Sequence, residues 1–139
     1  SHFFPALIKK IIDAIKYKKN EIVIWGNGKP LRELIYSDDV ADACIFFLKK
    51  KTSETLINIG SGKDKSISEY ANLIMKHLGV NFKIIYKRNK PNGTMRKLLD
   101  VSLAKKYGWA YRTPLKKGLS ITINDYLKKN LIKSKNISV

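Results

Sequence analysis

Trp25 and Arg32 stand seven positions apart, on either side of Gly26-Asn27-Gly28-Lys29-Pro30. A flat indole stacks on rings, and a guanidinium offers a planar fork of donors to anionic oxygens. Glycine and proline between them supply a turn joining two extended segments. Ring stacking and anion binding on one turn are the equipment for holding a nucleotide sugar. Further along, Lys90-Pro91-Asn92-Gly93 forces a second turn, and Arg96-Lys97 follows it with two more cations.

Several other signals carry less. Gly60-Ser61-Gly62 precedes a helical pattern, but Lys65 stands where the third glycine of a dinucleotide fingerprint belongs, so it reads as a turn. Tyr86 and Lys90 have Tyr-x-x-x-Lys spacing, which needs a helix to put both groups on one face, and Pro91 opposes one. Asp38-Asp39 reads as helix capping, not a metal site, because no nearby histidine or third carboxylate completes a ligand set. His77 falls at a helix end, where a cation suits the dipole. Cys44 reads as a core residue within a helix.

The elements that must position these groups follow from periodicity. Leu7, Ile8, Ile11, Ile12 and Ile15 recur at helical spacing between Pro5 and about Lys18. Glu21 to Trp25 and Leu31 to Tyr36 read as short strands. Ser37 or Asp38 caps a helix to about Lys50, Leu56 to Ile59 reads as a strand, and Ser66 with Glu69 forms a capping box for a helix to about Leu78, which Gly79 ends. Phe82 to Tyr86 alternates as a strand. A short helix is expected from Asp100 to Gly108, and Thr113-Pro114 opens a last helix to about Lys129. Short strands mixed with about five helices indicate an α/β (α+β) class, in a small mixed domain without room for a full dinucleotide-binding sheet.

The chain has 139 residues, 44% of them hydrophobic, which suits one domain over 1–139 with a loose tail over 130–139. No signal sequence or membrane-length apolar run is read, so a cytoplasmic protein without a membrane partner is expected. The single cysteine excludes an internal disulfide. A formal charge of +17 attracts polyanions. Lysine-rich composition alone also produces such a charge, and no zinc-finger, ribonucleoprotein or Gly-x-x-Gly pattern accompanies it; a basic nucleic-acid module is the weaker alternative, and no nucleic-acid partner is expected.

The glycine-turn segment running from Val23 through Asp42-Ala43, the Ser1-His2 start with Pro5-Ala6-Leu7-Ile8-Lys9-Lys10, and Lys90-Pro91-Asn92-Gly93-Thr94-Met95-Arg96-Lys97-Leu98-Leu99-Asp100-Val101 together resemble the GDP-L-fucose synthase family of extended short-chain dehydrogenase/reductases, in that family's order. The resemblance spans most of the chain and implies the carboxyl-terminal, substrate-binding part, with NADPH bound mainly by an amino-terminal domain that also carries the catalytic serine, tyrosine, lysine and cysteine. By resemblance, His2 is the proton donor or acceptor of epimerisation and the one position with a cofactor-side role. Ser-His at a chain start is also what an expression tag leaves. Lys10, Trp25, Arg32, Asn92 and Lys97 match substrate-contacting positions. Lys10 stands where the family can carry arginine, and Asn92 where it has an acidic residue, so charge geometry departs at both. The implied partner is a GDP-sugar, the complete enzymes are homodimers, and no metal is called for. A neighbouring nucleotide-sugar epimerase or dehydratase is the other reading of the same fold.

Overall fold

The computed structural model describes residues 2–135, with side-chain surroundings through residue 130. Helix α1, Phe3–Lys16, buries Leu7, Ile8, Ile11 and Ala14, the one-faced stripe expected of its spacing. It starts two residues before Pro5, which the first turn tolerates because N–H groups there have no intrahelical partner. Strand β1, Glu21–Trp25, turns Ile22 and Ile24 inward and leaves Trp25 outward. Strand β2 is Leu31–Glu33, helix α2 Ser37–Lys49, strand β3 Asp64–Ser66 and helix α3 Ile67–His77. Strand β4, Lys83–Lys87, and the two-residue β5, Arg96–Lys97, precede α4, Ser102–Lys106, and α5, Leu115–Lys135.

The extended segments flanking the glycine turn do not pair with each other. β1 runs parallel to β4, with Trp25 opposite Lys87. β2 lies between antiparallel β3 and parallel β5, with Arg32 opposite Lys97. The glycine turn therefore links two small sheets. Ile8, Ile11, Ile22, Ile24, Ile74 and Ile123 share the main core, which ties α1, β1, α3 and α5 together. A smaller cluster joins Ala43, Ala104 and Trp109, where the Trp109 indole N–H donates to Asp42 at 3.0 Å.

The capping box stands as read: Glu69 N–H donates to Ser66 Oγ, and Ser66 N–H to the Glu69 carboxylate. Other details depart from the sequence reading. The N-cap of α2 is Tyr36, without a side-chain cap bond. Asp39 is instead buried and accepts from Thr113 N–H at 2.9 Å, holding the approach to α5. Leu56 to Ile59 forms no strand. Ile57 and Ile59 pack on the smaller core while Asn58 Nδ2 donates to the Asp100 carbonyl, so the apolar side chains are accommodated without a ladder. Cys44 is exposed on α2, not core, because Ala43, Phe46 and Phe47 supply the face that packs. Helix α5 runs past Lys129 to Lys135, and 136–139 of the expected tail lie outside the described residues.

Candidate functional site

Trp25 ends β1 with 59% of its surface exposed, unusual for so large an apolar side chain beside a core. The chain then reverses through Gly26 and Gly28, at φ +74° and +71°. Glycine is required at 26 twice over, because a Cβ there would also collide with Asn92 Oδ1. That oxygen accepts from Asn27 N–H at 2.8 Å, and Gly26 N–H donates to the Lys87 carbonyl at 3.0 Å. The turn carrying Asn92 is thereby seated on the turn carrying Trp25. Asparagine preserves the acceptor that an aspartate would supply here.

Gly93, next in the chain, lies against Arg32, whose Nη2 is 3.5 Å from where a Cβ on Gly93 would stand. Arg32 is half-buried; its Nη1 donates to the Leu31 carbonyl at 2.7 Å, and its own carbonyl accepts from the Tyr70 hydroxyl at 2.8 Å. Parallel register puts Arg32 and Lys97 on one face of their sheet. Arg96 points the other way, with a two-point contact to Asp64 at 2.6 and 3.4 Å. Lys10, half-buried on α1, donates to the Val23 carbonyl at 2.8 Å and holds its ammonium 5.8 Å from the Trp25 ring centre. Burial, and then the charge of Lys87, push the Lys10 pKa below its ordinary value.

Lys10, Trp25, Asn92, Arg32 and Lys97 thus form a connected strip. It begins at the carboxyl ends of two parallel strands, the position at which open α/β sheets present their ligand crevices. His2 stands apart from it, exposed at the N-cap of α1. At the helical rise it lies about 12 Å from Lys10. A cleft of about 230 Å³ lined by Asn27, Lys29, Arg88 and Asn92 adjoins the strip. A larger cavity, about 800 Å³, lies elsewhere, between Phe4, Tyr36, Tyr70, Tyr111 and Leu115, and includes none of the six residues singled out from the sequence.

Two groups here escaped the sequence reading. Lys90 brings a second ammonium 5.7 Å from the Trp25 ring centre. In the sequence it opened the second turn and had the Tyr-x-x-x-Lys spacing, but Tyr86 in fact lies in a strand with its hydroxyl 2.8 Å from Ser68 Oγ. Glu33 is the other. Its carboxylate accepts from Gly62 N–H at 2.6 Å and Leu99 N–H at 3.0 Å, pinning two loops to β2.

Glu33 also decides what the Gly60-Ser61-Gly62 bend does. A Cβ at Gly60 would collide with Glu33 Oε1, so the glycine admits a carboxylate where a nucleotide-binding turn admits a phosphate. The residues of this bend do not fit a pyrophosphate, whose charge Glu33 would repel. Among the described residues no cluster of His, Cys, Asp and Glu could hold a metal ion, and no helix is long and apolar enough to cross a membrane.

The family model described as the NAD dependent epimerase/dehydratase family matches residues 1–60. Among known proteins the chain is similar to GDP-L-fucose synthases. It is 39% identical over 135 residues to putative GDP-L-fucose synthase 2 of Arabidopsis thaliana, covering 97% of this chain and 41% of the relative. It is 40% identical over 128 residues to the GDP-L-colitose synthase of Yersinia pseudotuberculosis, covering 91% and 42%. The structure of GDP-mannoheptose C4 reductase from Campylobacter jejuni with NADP bound superimposes with a TM-score of 0.72 at 29% identity, over 92% of this chain and 45% of that one. The chain therefore spans about two fifths of the length of the curated relatives it matches.

Proposed function

We propose that this chain is the GDP-sugar-binding portion of an enzyme that converts GDP-4-keto-6-deoxy-D-mannose to GDP-L-fucose, by epimerisation at carbons 3 and 5 and NADPH-dependent reduction at carbon 4. The observation that carries this reading is the strip itself. Residues distant in sequence, each with the chemistry to hold one piece of a nucleotide sugar, adjoin one another at the ends of two parallel strands. The relatives support the guanosine diphosphate end in particular, since the names of all three pair GDP with different sugars. The colitose relative, as similar as the fucose one, makes a GDP-L-colitose-forming reaction the second reading.

In this reading Trp25 stacks on a ring of the ligand, Arg32 and Lys97 face anionic oxygens, Lys10 adds a charge contact without a fork, and the Asn92 amide hydrogen-bonds a hydroxyl or base edge. The 4-keto group acidifies the neighbouring ring positions, so a base forms an enolate and an acid returns a proton on the opposite face. His2 is assigned that acid role because imidazole exchanges protons near neutrality. NADPH supplies the hydride for the reduction when bound; the bend filled by Glu33 is not its seat, and the remainder of the enzyme holds it. The complete enzyme works as a cytoplasmic homodimer with no nucleic-acid or membrane partner.

Titration of the isolated chain with GDP-L-fucose, UDP-glucose and a generic DNA duplex, followed by amide NMR, tests this. Binding of GDP-L-fucose is expected at roughly millimolar Kd, about 4 kcal/mol, because a separated portion loses preorganisation. No turnover with NADPH is expected. Equal response to the UDP-sugar, or a salt-sensitive preference for DNA, would overturn the assignment, and turnover by this chain alone would refute its dependence on a separate cofactor-binding part.

A further inference from the structure

The parallel pairing of β1 and β4 sets Lys87 opposite Trp25 at the end of both strands. The chain then folds back sharply, with Arg88 N–H donating to the Tyr86 carbonyl and Lys90 N–H to the Lys87 carbonyl at 3.0 Å. This turn brings Lys90 to the Trp25 indole, where Lys10 already stands. Two ammonium groups, from α1 and from the turn after β4, thus stand near one exposed ring, and Lys87 lies across from that ring's residue at the end of β4.

Among the described residues no carboxylate forms an ion pair with them. The ion pairs among the described residues are Lys9 with Asp13, Arg96 with Asp64 and Lys129 with Asp125, and none includes Lys10, Lys87 or Lys90. Nearby Arg88 and Lys29 add charge of the same sign at the adjoining cleft. One lysine over an indole needs no ligand to explain it, because cation–π attraction suffices. Like charges brought to one patch of surface repel one another. The lowered pKa of half-buried Lys10 has this repulsion from Lys87 as its second cause. An anion carrying more than one charge, spread over two adjacent centres, relieves all three at once.

We propose that Lys90 and Lys87 complete, with Lys10, a cradle for the diphosphate of the ligand beside Trp25, so that the site prefers a diphosphate over a monophosphate. The proposal rests on the reading of this strip as the nucleotide-sugar site and adds two binding residues to it. Lys10, committed to the Val23 carbonyl, is the fixed wall of the cradle. Lys87 and Lys90 are exposed and close on it from the β4 side.

Inorganic pyrophosphate, orthophosphate, GDP and GMP are the probes, titrated at physiological ionic strength into the full chain and read by Trp25 emission and amide NMR. Trp109 is buried against Asp42 and gives a constant background. Pyrophosphate is expected to bind more tightly than orthophosphate, and GDP more tightly than GMP. Lys90→Gln and Lys87→Gln should each weaken pyrophosphate and GDP about fivefold, the equivalent of one exposed charge contact, and Lys90→Arg should restore most of the loss. Both positions are exposed, so an unchanged amide spectrum of the free variants verifies folding. If the wild-type chain binds GDP-L-fucose and Lys90→Gln binds it and pyrophosphate equally well, the cradle is wrong and the proposed function stands. If pyrophosphate binds in a Lys90-dependent way but GDP-L-fucose gains nothing over it, the proposed function is wrong and the cradle stands. A wild-type chain that responds to neither overturns both.

Discussion

Removing the Glu33 carboxylate should loosen two loops at once, and the structure sets the size of the effect. Gly62 N–H, half-buried, donates to Oε1 at 2.6 Å; a hydrogen bond to a charged acceptor contributes about 1.5–3 kcal/mol. Leu99 N–H donates to Oε2 at 3.0 Å from an exposed position, where water replaces the lost acceptor, so it adds about 0.5 kcal/mol or less. The Ser61 hydroxyl at 3.4 Å is near the limit of a hydrogen bond and adds little. Glu33→Ala should therefore cost about 2–3 kcal/mol, a large share of the 5–15 kcal/mol that typically stabilises a domain. Glu33→Gln keeps the shape and one acceptor and should cost about half as much. Urea unfolding reads the shift as a lower midpoint at unchanged slope, and amide exchange should quicken first at Gly62 and Leu99. Because Leu99 is two residues from Lys97, GDP binding should weaken alongside stability. A Glu33→Ala midpoint within about 0.5 kcal/mol of wild type, the level of an ordinary surface change, would refute the assignment of Glu33 as the anchor of these loops.

Ser66→Ala removes the acceptor for Glu69 N–H and should cost about 1 kcal/mol in the same unfolding assay; no change would mean the capping box contributes nothing to α3. Tyr70 is buried, and its pKa is pushed up to about 12, chiefly by burial and then by the charges of Asp64, Glu33 and Glu69. Its folded-state value exceeds the ordinary 10.0, so the folded form retains a proton that the unfolded form has lost. The stability this provides is complete below pH 10 and should disappear as pH rises through about 12; Tyr70→Phe should flatten that alkaline decline, and an undiminished decline in the variant would assign it to other groups.

What could be read in advance was local. The capping box of α3 lies within four consecutive residues, and the stripe of α1 is an intrinsic period, so both were legible without knowing any neighbour. Helix α2 was legible as a helix but not in its orientation. It carries Ala43, Phe46 and Phe47 on one side and Ala41, Cys44, Ile45 and Leu48 on another, and only the position of Trp109 decides which side packs. Leu56 to Ile59 has the composition of a strand, but a strand exists only with a partner, and none of the described segments supplies one. Composition reports what a backbone prefers; pairing is a property of two segments.

The same distinction runs through the site. Trp25 and Arg32 were recognisable from side-chain type and a shared turn, yet the turn does not bring them together by folding its two strands into one hairpin. Trp25 is placed by β4 and Arg32 by β5, each joining in parallel from far along the chain. The turn over 91–95 connects those partners, and Asn92 locks it to Gly26-Asn27. Long-range parallel pairing, which no window of sequence displays, is therefore what assembles the strip. It also explains why Lys90 was legible only as part of a turn and Lys87 not at all: the register of β4 against β1 sets Lys87 opposite Trp25, and the turn that follows brings Lys90 to an indole already faced by Lys10.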